Sequence, residues 1–231
     1  MKALYLIVLL VSLVFPLGYT IFKLDLIKKW KAFSISTSIV ALLFLVWDVF
    51  FTQANIWGFN KDYCLGISIL ELPFEEILFF LIIPFCSLFI HFAIFHVYPD
   101  LKLGRRASNV LTLSLVFFSL ILMALNFGKA YTAVNFYVLA CSLLLGLLCR
   151  PNVLRQFYIS FIPILIPFGI VNGALTGLFT ASPIVWYDNA QNLGIRITTI
   201  PVEDIAYAFS MLLLNLVLFD MLTTKKTIIR D

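Results

Sequence analysis

Seven long, continuously apolar runs constrain this chain more than any other feature. They fall near residues 3–22, 32–51, 75–97, 108–127, 131–149, 157–179 and 203–222. Each is long enough to cross a hydrocarbon core of about 30 Å as a helix. None alternates apolar with polar residues, which excludes the strands of a membrane barrel. A soluble fold is excluded as well. The 231 residues are 62% hydrophobic and only 12% charged, and a globule of this size still exposes roughly a quarter of its unfolded surface. The expectation is an all-α, polytopic membrane protein, with Pro84, Pro163 and Pro167 inside spans, where helix kinks are tolerated.

The loops sort by charge. Lys23, Lys28, Lys29 and Lys31 follow the first span, Lys102, Arg105 and Arg106 the third, Arg150 and Arg155 the fifth, and Lys225, Lys226 and Arg230 the seventh. Only Lys2, Lys61, Lys129 and Arg196 fall on the other side. Basic loops stay inside, so the reading is a multi-pass protein of the cell membrane with its N-terminus outside and its C-terminus cytoplasmic. The first span is too long for a signal peptide, lacks a small-x-small cleavage site and precedes basic residues that favour retention. The net charge of +4 therefore reports orientation, and without a basic stripe interleaved with aromatics no nucleic-acid partner is expected. Cys86, Cys141 and Cys149 lie in or beside apolar runs and Cys64 in a loop, with no metal-ligand spacing.

The chain repeats itself. LGISILELPFEEILFF (65–80) aligns with LGIRITTIPVEDIAYA (193–208) at an offset of 128. Leu65, Gly66, Ile67, Ile69, Pro73, Glu75 and Ile77 meet identical residues, while Glu76 meets Asp204 and Phe79 meets Tyr207. Upstream, Asp48-x-x-x-Thr52 matches Asn172-x-x-x-Thr176 at an offset of 124. One membrane domain, 1–231, thus divides into repeat A (1–98, spans 1–3), a connector span (99–128, span 4), repeat B (129–224, spans 5–7) and a short cytoplasmic tail (225–231). Equivalent spans are four apart and run in the same direction, giving a 3+1+3 parallel repeat whose halves face each other about an axis along the membrane normal.

Both copies of P-x-E-[ED]-I-x-[FY] open an outside-to-inside helix. One acid there is explained by the helix dipole, and Pro73 suits a first turn. Two adjacent acids, Glu75 with Glu76 and Glu203 with Asp204, are more than the dipole needs. Neighbours on a helix point about 100° apart, so one of each pair is pressed toward the bundle or lipid, where ionisable groups mark functional sites. Burial favours the protonated form there and the helix N-terminus opposes it. Where burial prevails, the group is an acid able to deliver a proton. Asp48, in the outer third of span 2, and its mate Asn172 sit at the same depth, with an interhelical hydrogen bond as the plain alternative. Phe79 and Tyr207, four residues after Glu75 and Glu203, share the face of those acids and could shelter a cation by cation–π attraction. His91, His96 and Asp220, toward the other membrane face, read as structural. No GxGxxG, P-loop, H-E-x-x-H or Asp-rich pair is present, so no cofactor and no metal are expected. Span 7 holds no Lys for a retinal Schiff base.

LPFEEILFF and IPVEDIAYAF, with VWDVFFT and VNGALTG, resemble the membrane lycopene cyclase domains of carotenoid biosynthesis, in the fused two-repeat form and over nearly the whole chain. The family's acidic motif residues fall on Glu75, Glu76, Glu203 and Asp204. The resemblance implies an isomerase that turns acyclic lycopene ends into β-ionone rings by acid–base chemistry through a carbocation, on a lycopene-like apolar polyene in the bilayer. Two other readings stay open. One is a small 3+1+3 transporter or proton-coupled carrier, against which the Phe- and Leu-rich spans near the motifs speak. The other is a non-catalytic carotenoid-binding or opsin-like protein. A homo-oligomer is compatible with the sequence and not required by it.

Overall fold

The computed structural model describes residues 2–23 and 29–228. Lys28 and Arg230, two of the residues behind the orientation reading, lie outside the described residues, as do the side chains of Lys23, Lys225 and Lys226. Seven α-helices are described: α1 (Leu4–Lys23), α2 (Trp30–Gln53), α3 (Phe74–Val97), α4 (Arg105–Leu125), α5 (Ala130–Cys149), α6 (Pro151–Leu175) and α7 (Glu203–Ile228). The last six are long and apolar enough to cross a membrane, and α1 is 20 residues long, about 30 Å at the helical rise. The fold is an all-α polytopic bundle. Rows of exposed Leu, Ile, Val and Phe on α1, α2, α4 and α6 are the surface such a bundle presents to lipid.

Helix packing follows the repeat. α1 packs on α3 as α5 packs on α7, α2 lies against both α3 and α7, and α6 lies against both α7 and α3. α3 and α7 meet in the middle, and α4 leans chiefly on α5 outside this arrangement. The largest apolar cluster joins α2, α3, α5, α6 and α7 through side chains such as Phe85, Leu88, Leu154, Phe157 and Phe219. It runs from the basic end of the bundle up to Ala206 beside the second acidic motif, and smaller apolar clusters around Tyr5 and Trp57 flank the motif end.

Span ends shift by up to six residues, and at two prolines the shift changes the local structure. Span 6 starts at Pro151 rather than near 157, because Pro151 occupies the first turn, where its missing N–H costs nothing. Arg155 is consequently helical and donates from Nε to the Leu103 carbonyl at 2.6 Å. Pro73 stands outside α3 as its N-cap, with extended backbone, rather than in the first turn.

The loops at the motif end are ordered by strands that the sequence reading did not anticipate. Each repeat contributes β1 (Trp57–Phe59) or β4 (Val185–Tyr187), then a hairpin, β2 (Ser68–Ile69) with β3 (Leu72–Pro73) or β5 (Arg196–Ile197) with β6 (Ile200–Pro201). The hairpin turns carry no glycine, yet Leu70, Glu71 and Thr198 adopt φ of 50°, 71° and 58°, so the usual Asn-Gly signal is absent. β1 and β4 are repeat mates that pair with each other, antiparallel, with Gly58 opposite Trp186 at the centre. The pseudo-two-fold passes through that pair. A Cβ on Gly58 would lie 2.4 Å from the Trp186 ring, so the indole occupies the space that glycine leaves.

Candidate active site

Beneath the β1–β4 ribbon, a cavity of about 70 Å³ lies between the two repeats. Its carboxyl groups are Asp48 from α2, Glu76 from α3 and Asp204 from α7, and Asn172 of α6 joins them. Aromatic walls come from Tyr5, Trp57, Phe79, Tyr131, Tyr187 and Tyr207. All four polar residues are buried. Six of the eight site residues expected from sequence, namely Asp48, Glu76, Phe79, Asn172, Asp204 and Tyr207, thus converge on one chamber.

Glu75 and Glu203 do not line it. Each reaches back over its own loop, where Glu75 Oε1 accepts the Leu65 N–H at 2.6 Å and Glu203 Oε1 accepts the Leu193 N–H at 2.7 Å. The two clasps join repeat mates to repeat mates. Both acids are fully buried, and the Oε2 of each has no hydrogen-bond partner among the described residues. The 100° between adjacent positions therefore divides the pair, the first acid holding the loop and the second facing the chamber. It also corrects the aromatic pairing: Phe79 and Tyr207 share the chamber face with Glu76 and Asp204, three residues before them, a spacing that also aligns helix neighbours.

The second acids are held by tyrosines that sequence reasoning missed. Tyr5 donates to Glu76 Oε2 at 2.5 Å and Tyr131 to Asp204 Oδ1 at 2.5 Å. Tyr5 and Tyr131 are mates at an offset of 126, a correspondence that the motif alignment did not extend far enough to reveal. Beyond this the halves differ. Asp204 Oδ2 also accepts from Asn172 at 2.7 Å and from the Tyr187 hydroxyl at 3.0 Å. Burial first, and then the Asp204 carboxyl, push the Tyr187 phenol well above its usual range, so it keeps its proton and serves as a donor. On the other side Asp48 Oδ1 accepts from the Trp57 indole N–H at 2.5 Å and more weakly from Thr52 at 3.4 Å. Its buried Oδ2 has no partner among the described residues.

The aromatic groups pack around the acids at mixed angles, edge to face for Phe44–Tyr207 and Trp57–Tyr131 and tilted for Trp47–Tyr207. Tyr207 lies 4.9 Å from both Phe44 and Trp47, and Trp57 lies 5.1 Å from Tyr131. Such rings turn negative faces toward enclosed space and attract cations. Away from the site, His91 Nδ1 pairs with Ser160 Oγ at 2.8 Å and Asp220 with Arg150 at 2.7 Å, both joining helices. Cys64 is buried, and that burial, with the carboxyls of Glu75 and Glu76, raises its thiol to about 12. Among the described residues no three His, Cys, Asp or Glu side chains stand close enough together to hold a metal ion.

A family model described as lycopene cyclase matches the chain twice, over residues 2–95 and 128–222. The first match covers α1–α3, the second α5–α7, and α4 is left between them. Neither a curated protein nor a solved structure matches the chain.

Proposed function

The chain belongs to the lycopene cyclase family, and from that premise we propose that it closes the acyclic ends of a lycopene-like polyene into β-ionone rings, as an isomerase with no net redox change. The observation that carries this reading is the buried chamber in which Asp48, Glu76 and Asp204 meet among aromatic faces. A carboxylic acid protonates the terminal double bond at C2 and leaves a tertiary cation at C1. The C5–C6 double bond attacks through C6, forming the C1–C6 bond and moving the cation to C5. Loss of the C6 proton to a base restores a double bond and leaves the atom count unchanged. Such a sequence needs an acid, a base and a dry aromatic enclosure.

Repeat A supplies the acid and repeat B the base. Three donors surround Asp204, a setting that suits an acceptor-only carboxylate. Asp48 carries an oxygen with no partner among the described residues, where a proton can be held and delivered, and Glu76 lines the same cavity. Tyr207, Phe79 and Trp57 shelter the intermediate cations. The chamber is smaller than the roughly 150 Å³ of a dry cavity that holds benzene, so end-group entry moves side chains of its wall. The basic end of the bundle faces the cytoplasm of a cell-membrane protein, with the N-terminus outside.

The test is expression in cells that accumulate lycopene, with chromatography of the pigments. Cyclic carotenoid is expected with the wild-type chain and acyclic lycopene alone with Glu76→Gln, at equal protein levels in the membrane. Unchanged lycopene beside abundant, folded wild-type protein overturns the proposal.

A further inference from the structure

Resting on the cyclase reading, we propose that the unreacted polyene chain of the substrate lies in one lateral groove, between α1, α3 and α6, that joins the acid chamber to the lipid. The groove has a volume of about 360 Å³ and is lined by residues including Val11, Phe15, Ile83, Ser87, Phe168 and Ile170. Ile83, Ser87 and Phe168 also line the acid chamber, so the two spaces share a wall of three side chains. At the outer rim Val11, Phe15 and Ile170 are 68%, 69% and 60% exposed, on faces that meet lipid. Two polar groups of the groove direct their protons to backbone carbonyls. Ser12 Oγ donates to the Val8 carbonyl at 2.7 Å, and the Cys86 thiol to the Ser12 carbonyl at 3.3 Å. What remains is a largely apolar groove, open to the bilayer and parted from the acids only by that three-residue wall, suited to a hydrocarbon chain and not to a polar solute.

The same crevice in the other half is filled. Ile83 and Ser87 correspond at an offset of 128 to Met211 and Asn215, and Phe168 corresponds at 124 to Phe44. Met211 and Phe44 belong to a buried cluster with Val40, Ala41 and Phe80. Asn215 is fully buried, accepts from Ser36 at 3.0 Å and donates to Thr37 at 3.2 Å, tying α7 to α2. A serine in place of that asparagine leaves the α3–α6 side open. The duplicated bundle therefore offers one arm for the chain beyond the reacting end.

Two measurements test this. Val11→Trp and Ile170→Trp fill the outer groove from exposed positions remote from the acids. Turnover of the full-length acyclic polyene should fall about tenfold or more, while a short terpenoid bearing the same end group is cyclised within about twofold of wild type. Unchanged long-chain turnover overturns the inference and leaves bilayer acyl chains as the occupant, and equal loss of both substrates overturns it too, since a tail site must discriminate by length. In the wild-type chain, a photoreactive group placed just beyond the reacting end should label α1 and α6. Labelling of their mates α5 and α2 to the same extent overturns it whatever the variants do. A wild-type chain that cyclises neither substrate fails the cyclase reading itself, a result separate from these.

Discussion

The two acidic corners are built alike and finished differently. Each uses its first glutamate to clasp a loop N–H and receives a tyrosine hydroxyl on its second acid. Repeat A then adds a second carboxyl, Asp48, one of whose oxygens has no partner among the described residues, whereas repeat B puts a donor, Asn172, on its acid. Duplication thus preserved the scaffold that orients the acids and let their hydrogen-bond environments diverge. Two identical halves would offer two acids or two bases, while the proposed ring closure needs one of each.

The largest effect is expected from removing one role at a time. Asp204→Asn and Asp48→Asn should each lower cyclisation in membranes by roughly 10²–10⁴, the usual worth of a general acid or base. A variant of either that keeps wild-type turnover removes that residue from the chemistry. Making the corners alike is the next test. Asn172→Asp takes a donor from Asp204 and sets a second carboxyl where an amide stood 2.7 Å away. Turnover should drop about tenfold, the equivalent of one lost hydrogen bond to a charged group, and Asn172→Gln should restore part of it.

The clasps differ less. Glu203 receives Thr132 Oγ1 at 2.7 Å as well as the loop N–H, and its carbonyl receives Asn135 Nδ2 at 2.7 Å. The residues at these positions in repeat A are Leu6 and Leu9. Because alanine keeps the backbone carbonyl but loses the Thr132 partner, Glu203→Ala should cost about 2–3 kcal/mol, and Glu75→Ala about 1–2 kcal/mol, as seen in thermal unfolding in detergent. Equal losses would remove the asymmetry argued for the loops. The smallest effect concerns Cys64, whose mate is Asn192. With a thiol raised to about 12, Cys64 stays protonated at neutral pH, because a raised pKa delays loss of the proton. Its alkylation by maleimide should be slow at pH 7 and accelerate as pH climbs toward that value, and fast labelling at pH 7 contradicts the buried, carboxylate-flanked setting.

Much of the site was legible in the residues. Asp48, Asn172, Glu76, Asp204, Phe79 and Tyr207 were all expected, because the duplicated motif is short, local and set at the start of a helix whose geometry is known in advance. Glu75 and Glu203 carry the same chemistry in sequence, and only the path of the preceding loop distinguishes them. Tyr5, Tyr131, Trp57 and Tyr187 were not seen. The tyrosines of α1 and α5 lie about 70 residues from the acids they touch, in apolar stretches where an aromatic residue looks like packing. Trp57 and Tyr187 are carried by a ribbon whose flanking hairpins lack turn glycines.

By itself the sequence determined the all-α polytopic class, the parallel repeat and the helix starts at which acids could gather. These follow from hydrocarbon thickness, helical rise and the near-identity of two segments, all properties of residues close together in the chain. Which acid faces the chamber, which donors surround it and which crevice stays open were decided by tertiary structure. Those choices rest on contacts between helices, where one serine in place of an asparagine, or one loop N–H in reach of a carboxylate, changes what two otherwise equivalent positions can do.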